Sequence, residues 1–349
     1  MRKLLYLPPT AAFLPPPLSS PSPSPLLQFP DLTAREGFFF SSVPVAESAF
    51  DLATICFIAV LLFLSLLAFS FILYFRLRSR RLIHLENFNS LWTVRLLLVS
   101  LISVWAFNEI LRLPLVWRNY IYQIVPSITL PQQANICKLQ VVLSLGFFEP
   151  GFLITLLFLV NVSIKKRKPS RIWALVSLLM ICSPITLLQI VFVYFNPLEG
   201  KLPRFMHGSS VVGNDFSGEK TVLCTYPFFS CVIFGVFAVA YSMAFLLSCW
   251  RVLALVINKG IRNRINVLAV SVMVALSVQI VCLSLSWLWM PEDSAYGFVE
   301  LAMFLFVTVS MAVAEVILVL RPITDALAVG ADLQRRTTEG GAGERFISL

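Results

Sequence analysis

Glu149 is the side chain with the most chemistry to offer in this sequence. It stands in the run Gly146-Phe147-Phe148-Glu149-Pro150-Gly151, about 13 residues into an apolar stretch long enough to cross a bilayer. Ionisable residues in such stretches are rare and costly, so each is a candidate for function. Pro150 has no N–H and cannot donate to the Gly146 carbonyl, which predicts a kink and a free acceptor beside the acid. A kinked helix with a mid-depth carboxyl suits a ligand pocket, a proton site or a hinge; the alternative is a protonated acid hydrogen-bonded to a neighbouring helix. Asn108, Glu109 and Arg112 form a second group. Its acid and base are three residues apart and can pair on one helical face. Glu315 lies about 8 Å from the end of the last apolar stretch by helix rise, within reach of a basic loop residue. Glu300 is shallow enough to reach water. Gln189 and Gln279 suit contacts between helices, and Pro184 marks a second expected kink.

The elements that must hold these groups are seven apolar stretches, roughly 52–75, 91–113, 136–160, 172–195, 226–250, 266–290 and 298–320. Each can span a hydrocarbon core of about 30 Å as a helix. Hydrophobic residues make up 58% of the 349 residues, charged residues 13%, and mean hydropathy is +0.85. Soluble domains carry about 25% charged residues, so the deficit itself argues for lipid as the surrounding solvent. The expected fold is an all-α seven-helix membrane bundle over 51–321, with a Pro/Ser-rich disordered tail at 1–50 and a short tail at 322–349.

A net charge of +9 could suggest nucleic acid, but its placement indicates topology. Alternate loops carry Arg76, Arg78, Arg80 and Arg81; Lys165, Lys166, Arg167, Lys168 and Arg171; and Arg251, Lys259, Arg262 and Arg264. The intervening loops hold Arg118, Lys138, Lys201, Arg204 and Lys220, and the last of them carries Glu292 and Asp293 instead. Thirteen basic residues against five place the N-terminus outside and the C-terminus in the cytosol. The basic loops at 76–90, 161–171 and 251–265 suit either anionic lipid or an acidic cytosolic protein. Asn161-Val162-Ser163 matches a glycosylation acceptor, but the orientation puts it on the cytosolic side, unused.

Prolines between Pro8 and Pro25 prevent a helix, and the apolar run Leu4–Leu7 is too short for a secretory signal. The first 30 residues are Ser-rich without acids, which also fits an organellar transit peptide; the expected route is entry through the first helix into plasma membrane or endomembrane. Pro322 with Ile323, Leu327 and Leu333 could open a short interfacial helix, and Thr337 and Thr338 follow Arg335-Arg336 as possible phosphoacceptors. Cys56, Cys182, Cys231, Cys249 and Cys282 fall inside the apolar stretches, where cysteine acts as a small hydrophobe. Cys249, beside Trp250 and Arg251, also suits palmitoylation. Cys137 and Cys224 border the third and fifth stretches on the outer, oxidising side, where a disulfide is permitted.

A cysteine at the outer start of the third helix and another before the fifth resemble G-protein-coupled receptors, as do the N-out topology and the basic inner loops. That resemblance implies a Cys137–Cys224 disulfide. It covers architecture from about Leu52 to Leu320; the third stretch ends in Asn161-Val162-Ser163-Ile164 instead of Asp-Arg-Tyr, the seventh lacks Asn-Pro-x-x-Tyr, and Trp287, Trp289 and Pro291 lie at the outer end of the sixth. The chain is nearer in pattern to the divergent heptahelical proteins of plants proposed as receptors.

His84 and His207 fall on opposite sides, so no clustered histidines are available for zinc or haem. No lysine lies deep in a stretch to hold retinal, and no internal repeat, phosphate loop or Ser-His-Asp set is present. The residues thus imply no cofactor, no metal and no enzyme. The expected function is receptor-like signalling or partner recruitment, with an outer pocket lined from the second, third and seventh helices. A transporter or channel using Glu149, or a scaffold without a small ligand, are the rivals.

Overall fold

A computed structural model describes residues 43–79, 92–124, 128–164, 171–195, 208–214, 220–286 and 294–328, all within one compact unit, Ser42–Leu349. Arg80, Arg81, Lys165–Lys168, His84, His207, Trp287, Trp289, Pro291, Glu292 and Asp293 lie outside the described residues, as do the proline-rich segment and Leu333, Thr337 and Thr338 of the tail.

Among the described residues, seven helices are long and apolar enough to cross a membrane. They are α1 (Val43–Ser79), α2 (Trp92–Ile110), α3 (Leu130–Val162), α4 (Ala174–Phe195), α5 (Phe228–Leu255), α6 (Lys259–Leu285) and α7 (Ala295–Ala328). Their order and positions follow the seven apolar stretches, and the ends differ where local chemistry extends a helix. α1 begins at Val43, so the tail expected over 1–50 yields its last residues to helix. The helix of α3 starts at Leu130 because Thr129 donates its N–H to the Gln132 side chain at 3.0 Å and Pro131 suits a first turn. The Asn258 side chain caps α6 by accepting from Gly260 N–H at 2.9 Å. Lys259, Arg262 and Arg264 therefore sit on α6, and the basic loop expected at 251–265 shrinks to residues 256–258. α7 runs through Pro322 without forming the separate interfacial helix, because a π-helical turn, Val316–Leu320, leads into it.

The bundle closes as a ring around α3. α1 packs on α2 and α7, α7 on α6, α6 on α5, while α3 contacts α2, α4 and α5. Of the most apolar part of α3, 78% is buried inside the bundle, against 22–50% for the other six helices. A residue on α3 is therefore placed to meet several partners at once. The outer faces of the ring carry exposed apolar side chains such as Val60, Phe63, Met180, Val236 and Leu247, and the core between helices is apolar too. A helix apolar all round suits surroundings that are themselves apolar.

Between α4 and α5 the chain adds a hairpin absent from the seven-stretch reading. β1 (Ser210–Asn214) pairs antiparallel with β2 (Lys220–Cys224), with Ser210 opposite Cys224 and Asn214 opposite Lys220. Cys224 is bonded to Cys137 on α3, their Cα atoms 5.3 Å apart. This disulfide, Val222 and Ala134 make a small cluster that pins the hairpin across one end of the bundle.

Candidate functional site

The site grows from a π-helical turn in the middle of α3. Ser144–Phe148 adopts this wider turn, so the Glu149 N–H reaches back five residues to the Ser144 carbonyl. In a regular α-helix Phe148 would stand over Ser144; the extra residue puts Glu149 there instead. The Gly146 carbonyl, which Pro150 cannot serve, accepts from the Thr186 hydroxyl of α4 at 2.9 Å. The acceptor expected to be free is thus paired. Gly146 also brings α3 and α4 together: a Cβ on it would lie 3.2 Å from Thr186 Cα and 3.3 Å from Gln189 Cγ. Pro184 lies within the α4 helix, and Gln189 ties α4 to α5 by donating to the Ser230 carbonyl at 3.0 Å.

Glu149 is buried, and three helices supply its partners. Trp105 Nε1 of α2 donates to Oε1 at 3.3 Å. Ser144 Oγ lies 3.1 Å from the same oxygen, and Gln279 Nε2 of α6 donates to Oε2. Ser144 Oγ also lies 2.8 Å from Glu109 Oε1 of α2, which accepts from Gln140 Nε2 at 3.3 Å. Asn108 Nδ2 donates to the Gln140 carbonyl at 3.2 Å. The two separate groups expected from sequence, Glu149 and Asn108–Glu109–Arg112, are therefore one network.

Arg112 extends the network toward the disulfide end. Its Nε is 3.9 Å from Glu109 Oε2, as the i, i+3 spacing allows, but the closer carboxyl is Glu300 of α7, 2.9 Å from Nη1. Glu300, expected to reach water, is partly exposed and is also an ion-pair partner. Arg112 also donates to the Tyr226 hydroxyl, and its guanidinium lies 5.3 Å from that ring's centre. Tyr226 stands just before α5, where burial pushes its hydroxyl well above the usual tyrosine range while the Arg112 charge draws it down. Asp51 of α1 accepts from Leu115 N–H at 3.0 Å, fixing the turn that follows α2.

Glu315 lies apart. It is fully buried, and its carboxyl oxygens lack a hydrogen-bond partner among the described residues; Ser65 of α1 is the polar side chain near enough to act on it. The basic loop partner expected for Glu315 does not occur among the described residues. A small cavity of about 10 Å³, room for a single water, lies beside Glu149 and Gln279 between α3, α6 and α7. This cavity is lined from α3, α6 and α7. No group of three or more metal-ligating side chains occurs among the described residues.

Residues 41–336 match the protein family described as uncharacterised conserved protein UCP031277. The chain belongs to that family. No curated protein and no solved structure matches it. The family match spans every helix of the bundle and the whole network from Arg112 to Gln279.

Ser144, Gln140, Trp105, Tyr226 and Asp51 were not among the residues expected from sequence. Gln133, Gln140 and Ser144 are spaced seven and four apart and all buried, a polar stripe on one helical face that could have pointed to the site. Cys249 is buried, which closes it to the palmitoylation its position suggested, whereas Cys56 is exposed on the bundle's flank.

Proposed function

We propose that this chain is a multi-pass membrane protein that signals in a receptor-like way, with the disulfide end outside and the C-terminus in the cytosol. The observation that carries the reading is the continuous network linking Tyr226, Glu300, Arg112, Glu109, Ser144, Glu149 and Gln279, buried except at the partly exposed Glu300. It joins α2, α3, α6 and α7 from the disulfide end to mid-length of α3. A stimulus at the outer end that competes for Arg112 changes the partners available to Glu109, and through Ser144 those of Glu149 and α6. Coupling of this kind needs an element with two arrangements biased by both ends. The π-helical turn at the junction is a suitable element, since such turns are rare and occur frequently at functional sites.

The packing favours this reading over a channel. The cavity at Glu149 has room for about one water, less than a drug-sized ligand or an open ion path requires. Arg264 and Asp325, paired at 2.6 Å on an exposed face, offer a polar contact surface at the opposite end from the disulfide. The basic segments around 80–91 and 165–170 lie outside the described residues and are proposed as further contacts for acidic cytosolic partners or anionic lipid.

The test compares the full chain with Glu149→Gln. Proximity labelling from the C-terminus identifies neighbouring proteins in cells, and proteoliposomes report pH-dependent flux. The receptor reading expects an altered set of labelled proteins and no flux in either form. Flux that Glu149→Gln abolishes would replace it with a transporter.

A further inference from the structure

We infer that Glu109, Ser144 and Glu149 form a proton-binding site in which two carboxyls share one proton through a hydroxyl. Ser144 Oγ is 2.8 Å from Glu109 Oε1 and 3.1 Å from Glu149 Oε1. A serine hydroxyl has a single proton to donate. If both acids were ionised, one anionic oxygen would face the hydroxyl without a hydrogen between them. Thr186 makes an instructive contrast, because it lies 2.9 Å from both the Gly146 and Cys182 carbonyls. Those acceptors are neutral, so sharing one proton there carries no charge penalty. At Ser144 the acceptors are acids, and two like charges crowded into a buried site do not both ionise.

The surrounding groups agree. Around Glu149 stand Trp105 from α2, Gln279 from α6 and, across the small cavity, Ser310 from α7; none supplies positive charge. Around Glu109 the charged neighbours are Arg112 and, beyond it, Glu300. Arg112 faces two carboxyls, Glu109 and Glu300, and does not reach Glu149. Arg112 balances one of them, at 2.9 Å from Glu300, and its 3.9 Å approach to Glu109 is too long for a second close hydrogen bond. A proton on either Glu109 or Glu149 removes one of the two negative charges that remain: the protonated acid donates to Ser144 Oγ, and Ser144 donates to the other. Reversing both bonds moves the proton from one acid to the other without changing the total charge. No bond other than O–H is formed or broken, and no co-reactant is needed.

Gln279 and the cavity then give the two states different meaning. With the proton on Glu109, the carboxylate at Glu149 keeps its bonds from Gln279 and Trp105. With the proton on Glu149, the negative charge moves to the acid beside Arg112. The site therefore ties the charge at the cavity to the ion pair at the disulfide end. The inference stands whether or not the chain signals, since its test reads protonation alone.

Infrared spectroscopy of the full chain in lipid nanodiscs at neutral pH detects a protonated carboxyl by its C=O stretch, and glutamine substitution identifies the acid responsible. A glutamine amide can donate to Ser144 in place of the proton, so Glu109→Gln and Glu149→Gln should each remove the same single protonated-carboxyl band. The double variant should remove no more than either alone. Ser144→Ala should keep the band and shift it, because the proton loses its hydroxyl partner. A protonated-carboxyl spectrum left unchanged by both single variants and by the double variant would show both acids ionised and overturn the site. Loss in only one would assign a fixed proton to one acid, and two separate losses would give each acid its own; both results overturn sharing.

Discussion

Arg112 is the residue on which the charge balance of the interior turns. It is buried and faces Glu109, Glu300 and Tyr226. Removing one member of a buried ion pair leaves an uncompensated charge and costs on the order of 3–5 kcal/mol. Arg112→Gln should therefore lower the thermal unfolding temperature in detergent sharply, and adding Glu300→Gln should recover much of the loss. Absence of recovery would mean that Arg112 acts through packing on Tyr226 and not through its charge. Glu109, Arg112 and Glu149 were legible in the sequence because charges in apolar stretches stand out. Their union was not. It depends on Ser144, a residue common in helices for many reasons, and on a one-residue register change that a regular 3.6-residue period does not reveal. The Arg112–Glu300 pair was hidden for a related reason: depth along a helix says how far water is, but not that a guanidinium from just past α2 reaches across.

At the scale of the helix, the α3–α4 contact shows how a proline is accommodated. The expectation of a missing bond at Pro150 was sound, and so was the position of the orphan carbonyl. What the sequence did not say is that a hydroxyl 40 residues further on, Thr186 of the next helix, would fill it. Thr186→Val keeps the shape but removes the donor, and an unpaired buried acceptor costs about 1–3 kcal/mol; Thr186→Ser should cost less. Gly146→Ala tests the same contact by volume. Its Cβ would meet Thr186 backbone at 3.2 Å, and forcing a methyl into packed space costs roughly 1–3 kcal/mol. Denaturation of purified protein measures both, and a neutral Gly146→Ala would show that α4 moves away freely. The seven helices themselves were legible because length and apolar composition are enough to define them. Their ends were less so, since caps such as Asn258 act through one side chain. The hairpin was missed because its signal is two short runs, Val211-Val212 and Thr221-Val222-Leu223, flanked by turn residues, beside much louder helical segments.

The whole molecule has two ends, and two independent features bear on which faces the cytosol. Basic residues concentrate in the loops and helix ends between α1 and α2, α3 and α4, and α5 and α6, with thirteen against five between the other helices. The Cys137–Cys224 bond lies at the other end, joining the first turns of α3 to the hairpin before α5. A lasting disulfide favours an oxidising compartment, and basic loops favour the cytosol, so the two features agree. Epitope tags should report this directly: an N-terminal tag should be accessible from the outer side without permeabilisation, and a C-terminal tag only after it. Asn161 should carry no glycan. The staple should also matter to stability, because it joins residues 87 apart in sequence, and native disulfides of such loops contribute about 2–4 kcal/mol. Cys137→Ser should therefore unfold at lower temperature, and a reductant should lower the wild type toward the variant while leaving the variant unchanged. An accessible C-terminal tag together with a glycan at Asn161 would invert the molecule, placing the staple in a reducing compartment and the basic loops outside. The Arg112 network would then open toward the cytosol, and the stimulus that competes for it would have to come from inside the cell.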